Sequence, residues 1–321
     1  MQKQYIYEVA RVRAKEMDLF SLQDIRTLLS CSSLESCFSF LKDHSWGDDS
    51  CNTVEDFIDF QTNAVWDLVQ ELTPDEVVFD LYKFPNDYNN LKTAIKYLVN
   101  DQEIAHMFFK ISTVNPNDIL EAIELKKFEK LPEHMRKAAK EARAALFETT
   151  DAQLCDSIID KGLLDAMADL AKKSKNKLCQ EYVKIHADIA NIKIAVRGCR
   201  MGQPLSFFEK SLARCGTLDV DRLAENASKS MEDICDYIYF TNYKDIIPTL
   251  KKSMAKFEVL CENFINALMR EQKSNSFTVS PIFAYVYAKF NEIKNVRTIL
   301  ISKEGNISDE IIEERLRDTY V

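Results

Sequence analysis

Cys179 and His186 stand seven residues apart, which is one face of a helix, and a thiol beside an imidazole is the pairing that cysteine nucleophiles use. No neighbouring pattern marks a setting that would lower the thiol pKa, so a buried thiol and a hydrogen-bonded histidine account for the pair better. Asp48-Asp49 and Asn86-Asp87 are the other candidates, as magnesium-binding acids of an all-helical enzyme acting on diphosphates. Such chemistry needs an aspartate-rich DDxxD run on a helix facing a second acidic motif. Asp48-Asp49 instead lies in Trp46-Gly47-Asp48-Asp49-Ser50, a turn by composition. GxxxxGK[ST], HExxH and GxSxG are absent, and His44, His106, His134 and His186 do not pair at metal-ligand spacing. No catalytic residue, metal or cofactor is expected, and the chain reads as a non-enzyme.

Asn86-Asp87 belongs to a pattern that occurs three times. The segments LYKFPNDYNNLKTAIK (81–96), YVKIHADIANIKIAVR (182–197) and VYAKFNEIKNVRTILI (286–301) align without gaps. Each carries an acid, an Asn three residues on, an aliphatic residue and a cation: Asp87, Asn90, Leu91 and Lys92; Asp188, Asn191, Ile192 and Lys193; Glu292, Asn295, Val296 and Arg297. Asp87 to Asp188 is 101 residues and Asp188 to Glu292 is 104, which predicts three tandem units, 1–100, 101–202 and 203–321. A weaker echo pairs SLESCFSFLKDHSW (33–46) with SMEDICDYIYFTNY (230–243). The acid and Asn share one helical face with a small residue, Ala94 in the first copy and Ala195 in the second. That stripe suits close packing, with the polar groups bonding a neighbouring helix end or loop backbone; a partner contact is the alternative.

The elements that position these stripes are expected to be helices. Gly and Pro number 6 and 7, where average usage of about 12% would give nearly forty, so long elements with short connections are favoured over many tight turns. Phe257, Leu260, Cys261, Phe264, Ile265 and Leu268 follow the helical period. Thr73-Pro74, Asn115-Pro116, Thr150-Asp151 and Ser280-Pro281 read as helix starts, and Asn306-Ile307-Ser308 opens a last short helix. Pro85, aligned with His186 and Phe290, should kink or restart the first motif helix.

A net charge of −9 argues against nucleic acid or anionic lipid as the main partner. Nine scattered cysteines without CxxC spacing suit free thiols in a reducing cytoplasm, and neither a membrane span nor a signal peptide is expected. Basic stretches (Lys126, Lys127, Lys130; Arg136, Lys137, Lys140, Arg143; Lys172, Lys173, Lys175, Lys177) read as solvated helix faces, or alternatively as a dock for an acidic partner.

Taken in order, Tyr5-Ile-Tyr-Glu-Val-Ala-Arg11-Val-Arg13, Asn86-Asp87-Tyr-Asn-Asn90-Leu91, Asp188-Ile-Ala-Asn191-Ile192 and Glu292-Ile-Lys-Asn295-Val-Arg297 resemble the C-type subunits of bacterial and archaeal V-type (A-type) ATPases, whose eukaryotic vacuolar counterparts are the d-type subunits. The resemblance covers the whole chain. His186 departs from it, since family members often carry an acid two residues before the Asp. It implies an all-α funnel of three similar domains about a pseudo-threefold axis. It further implies a peripheral, cytoplasmic rotor part without an active site, seated on the membrane proteolipid ring and receiving the central-shaft subunits (D and F type). A general helical-repeat scaffold is a weaker alternative, because its repeats are usually shorter, about 34–47 residues. The magnesium-dependent helical enzyme is weaker still.

Overall fold

The computed structural model describes residues 4–100 and 107–321, and among these every regular element is helical. In chain order they are α1 (Ile6–Glu16), α2 (Leu22–Leu29), α3 (Leu34–Asp43), α4 (Val54–Leu72), α5 (Phe84–Asn100), α6 (Pro116–Glu124), α7 (Glu133–Thr149) and α8 (Ala152–Ser174). There follow α9 (Lys177–Arg200), α10 (Leu205–Ser211), α11 (Val220–Ala227), α12 (Met231–Tyr239), α13 (Ile247–Lys252), α14 (Met254–Arg270), α15 (Ser280–Glu304) and α16 (Asp309–Glu313). His106 and the expected start of the second unit at 101 lie outside the described residues.

Local sequence sets most boundaries. Ser21, Ser33 and Thr53 form capping boxes with Asp24, Ser36 and Asp56, and Asn115, Asp151, Asn176, Asp219, Ser230 and Ser253 each accept a backbone N–H from the first turn of their helix. With so few glycines, the left-handed residues that stop α7 and α8 are Thr150 and Lys175, both at φ 56°. Pro85 acts as expected: a 3-10 stretch over Val77–Tyr82 ends and α5 restarts at Phe84, whereas α9 and α15 run unbroken through the corresponding position.

Three expected starts are corrected. Thr73 closes α4 rather than opening a helix: its hydroxyl donates to Val69 O (3.0 Å), and Asp75-Glu76 lead into the 3-10 stretch. The cap of α8 is Asp151, because Thr150 is already the left-handed stop of α7. At Ser280 the helix has begun, with Val279 in the capping position.

Two compact units emerge, one formed by Met1–Glu76 with Pro248–Val321 and the other by Val77–Ile247. In the first, α15 is buried nearly all round, from Ile282, Phe283 and Val286 to Ile299 and Leu300, because α1, α2, α3, α4 and α14 all pack on it. In the second, α8 and α9 pack on each other, with α5, α7 and α10 against α8 and α11 and α12 against α9. The three motif helices are thus α5 and α9 of one unit and α15 of the other.

Candidate functional site

The acid and Asn of each motif face inward. Asp87, Asn90, Asp188 and Asn191 are fully buried, and Glu292 and Asn295 nearly so. Groups this polar stay buried only when their hydrogen-bonding capacity is met.

Each Asn meets it in one way, by pairing both ends of its amide with the main-chain N–H and C=O of a single residue downstream. Asn90 Nδ2 donates to Phe109 O (3.0 Å) and its Oδ1 accepts from Phe109 N (2.8 Å). Asn191 does the same with Ala213 (2.7 and 2.9 Å), and Asn295 with Arg317 (3.0 and 2.9 Å). An amide matches the N–H and C=O of one residue donor for acceptor, which a carboxylate or an amine could not do.

The acids cap a different segment. Asp87 accepts from Thr113 N (2.8 Å), Val114 N (3.1 Å) and the Thr113 hydroxyl (2.6 Å). Asp188 accepts from Thr217 N (2.8 Å), Leu218 N (3.0 Å), the Thr217 hydroxyl (2.5 Å) and the Tyr243 hydroxyl (3.0 Å). Glu292 accepts from Phe20 N, Trp46 Nε1 and Lys289 Nζ, each at 2.6 Å. Burial pushes the Asp87 carboxyl above its ordinary range, and the donors of Thr113 and Val114 offset part of that rise.

Phe20, Val114 and Leu218 stand in the same register, two residues before the first residue of α2, α6 and α11 respectively. The first motif therefore fastens the lead-in to the next helix, α6, and the second fastens the lead-in to α11, one helix further on past α10. The third motif comes last in the chain and fastens the lead-in near the beginning. Along the sequence, two of the bonds run forward and the third runs from near the end of the chain back to its beginning.

The donors Thr113, Thr217, Phe20, Trp46 and Tyr243 were not located by sequence reasoning. One signal for two of them was there: the echo of 33–46 in 230–243 aligns Trp46 with Tyr243, and both donate to a motif acid. Gly216 is also part of the second clamp. A Cβ there would lie 2.8 Å from Asp188 Cγ, so only glycine lets the backbone pass the carboxylate.

Residues 9–315 match the family described as ATP synthase (C/AC39) subunit, nearly the full chain. The chain belongs to this family. Similar curated proteins include the C subunit of the V-type sodium ATPase of Enterococcus hirae, 20% identical over 317 residues that cover 96% of this chain and 97% of that protein. The C subunit of the A-type ATP synthase of Methanocaldococcus jannaschii is 21% identical over 342 residues, covering 97% of this chain and 86% of that protein. That of Halorubrum lacusprofundi is 22% identical over 340 residues, covering 97% and 96%.

The other candidate residues of this C/AC39 protein occupy structural positions. Cys179 is fully buried in the first turn of α9, where its N–H donates to the cap Asn176 (3.1 Å), and His186 packs its ring against Tyr182. The thiols of Cys155 and Cys215 are pushed up to about 11, in both cases chiefly by burial, away from the reactive range. Asp48 closes its own turn by accepting Ser50 N (2.8 Å). Among the described residues no group of three or more His, Cys, Asp or Glu side chains is placed to hold a metal ion, and no helix is long and apolar enough to cross a membrane. The lysines at 126, 127, 130, 137, 140, 172, 173, 175 and 177 are exposed, with Lys130 paired to Glu121 at 2.6 Å.

Proposed function

We propose that this chain is the non-catalytic central-stalk subunit of a V/A-type rotary ATPase, coupling the rotating shaft (D and F type subunits) to the proteolipid ring on the cytoplasmic side of the membrane. The observation that carries the reading, beside family membership, is the set of three buried clamps. A coupling part must pass torque without absorbing it, and that calls for helices fixed to one another by geometry-specific bonds rather than by apolar contact alone. Through its acid, each clamp fixes one long helix, α5, α9 or α15, to the lead-in of a helix in another repeat. The division into repeats 1–100, 101–202 and 203–321 is part of the proposal. ATP-driven transport and ATP synthesis both need such a part, and it needs no chemistry of its own.

The test is native membrane extraction with a tagged chain, followed by reconstitution. Co-purification of shaft and ring subunits is expected, with ATP-driven ion transport lost when the chain is omitted and recovered when it is returned. A chain that binds neither shaft nor ring, or whose omission leaves transport intact, overturns the reading.

A further inference from the structure

The third clamp differs from the other two in what completes it. Asp87 and Asp188 each receive a threonine hydroxyl, from Thr113 and Thr217. The same register at the third acid falls on Leu19, which has none.

Beside Glu292 lies a small cavity of about 10 Å³, lined among others by Leu19, Phe20, Ala288, Asn291, Glu292 and Asn295. The space a single water needs is about 10–15 Å³ on the same measure. Asn291 is 5% exposed, and its Nδ2 donates to Asp318 O (3.1 Å), which fixes the amide orientation and leaves Oδ1 on the other side. That Oδ1 is buried and has no partner in the protein. An orphaned amide oxygen in such a place costs the desolvation of a strong acceptor unless something donates to it.

We propose that the cavity is a binding site for one ordered water molecule, which completes the third clamp. The water donates one hydrogen to Asn291 Oδ1 and the other to the Glu292 carboxylate, whose Oε2 holds only the Phe20 N–H. The second N–H of Asn295 Nδ2, beyond the one given to Arg317 O, is available to donate to the water oxygen. Two to three such partners are what a buried water ordinarily has. A hydroxyl-sized donor is thereby supplied to the third acid by solvent, where side chains supply it to the first two.

Crystals of the full chain at a resolution that shows ordered solvent test this directly. One water is expected within about 2.7–3.2 Å of both Asn291 Oδ1 and a Glu292 oxygen. A cavity without density, or density at the short distances and higher coordination of a metal cation, overturns it. Ala288→Val supplies a second reading in solution, since the added methyls fill the cavity. If water is displaced, Asn291 Oδ1 is stranded and the unfolding constant rises roughly tenfold; an unchanged or lower constant means the cavity was dry, and the proposal fails.

Discussion

An asparagine that holds both main-chain groups of one residue is costly to replace, because truncation strands a backbone donor and a backbone acceptor together. Asn191 is fully buried and pairs with Ala213, itself fully buried. Asn191→Ala should therefore cost about 3 kcal/mol, the sum of two moderate desolvation penalties, read as a lower urea midpoint with an unchanged m-value. Asn191→Asp keeps the acceptor for Ala213 N but faces Ala213 O with a second acceptor, so it should be no better. Gly216→Ala tests the acid half of the same clamp: the new Cβ meets the Asp188 carboxylate. A loss of about 2 kcal/mol or more is expected from that overpacking, and a neutral result would mean that the loop moves aside freely. The acid and Asn positions were legible in the sequence because repetition marked them. Their partners were not, since Phe109, Ala213 and Arg317 contribute only main chain, and every residue type except proline can offer that N–H and C=O.

Elements were readable wherever one residue decides a boundary. Pro85 restarts a helix and Asn115-Pro116 starts one, because each acts on its own turn. Thr73-Pro74 misleads because a threonine can close the helix behind it as well as cap one ahead, and only tertiary placement chooses. The tail after α16 is the element least visible in sequence: it has no helical period, yet it is bound throughout. Asn266, Asn291 and Asn295 donate to its carbonyls at Asp318 and Arg317, Asn263 accepts Asp318 N, and the Arg317 guanidinium meets Glu262. Glu262 carries a pH signature. Burial alone would raise its pKa, but Lys294 and Arg317 outweigh burial and hold it below its ordinary 4.5. Its folded pKa is depressed, so the stability it contributes is present above 4.5 and is lost as pH falls through the lower, folded value. Arg317→Met, which leaves the main-chain pairing with Asn295 intact, should cost about 2 kcal/mol at neutral pH. It should also make the acid limb of the stability profile shallower. An acid limb identical to that of the unaltered chain would count against the pairing.

At the scale of the whole molecule, repetition in sequence and compactness in space divide the chain differently. The three motif copies follow one another along the sequence, whereas Met1–Glu76 joins Pro248–Val321 in one unit and Val77–Ile247 forms the other. The clamps explain how both hold. Asp87 with Thr113 and Asp188 with Thr217 bond residues 26 and 29 positions apart, and both bonds lie inside 77–247. Glu292 reaches Phe20 and Trp46, 272 and 246 positions away. The unit of 77–247 therefore contains its own polar partners in one continuous segment, while residues 1–76 depend on a helix supplied near the end of the chain. Expressed alone, 77–247 should give a helical circular dichroism spectrum and a cooperative urea transition. Expressed alone, 1–76 should not, because the helix that buries Trp46 and Phe20 is absent. Adding a 248–321 fragment to 1–76 should restore a transition that depends on the concentration of both pieces. If 1–76 folds cooperatively without it, the bonds from Glu292 to Phe20 and Trp46 are not what holds residues 1–76 in their fold.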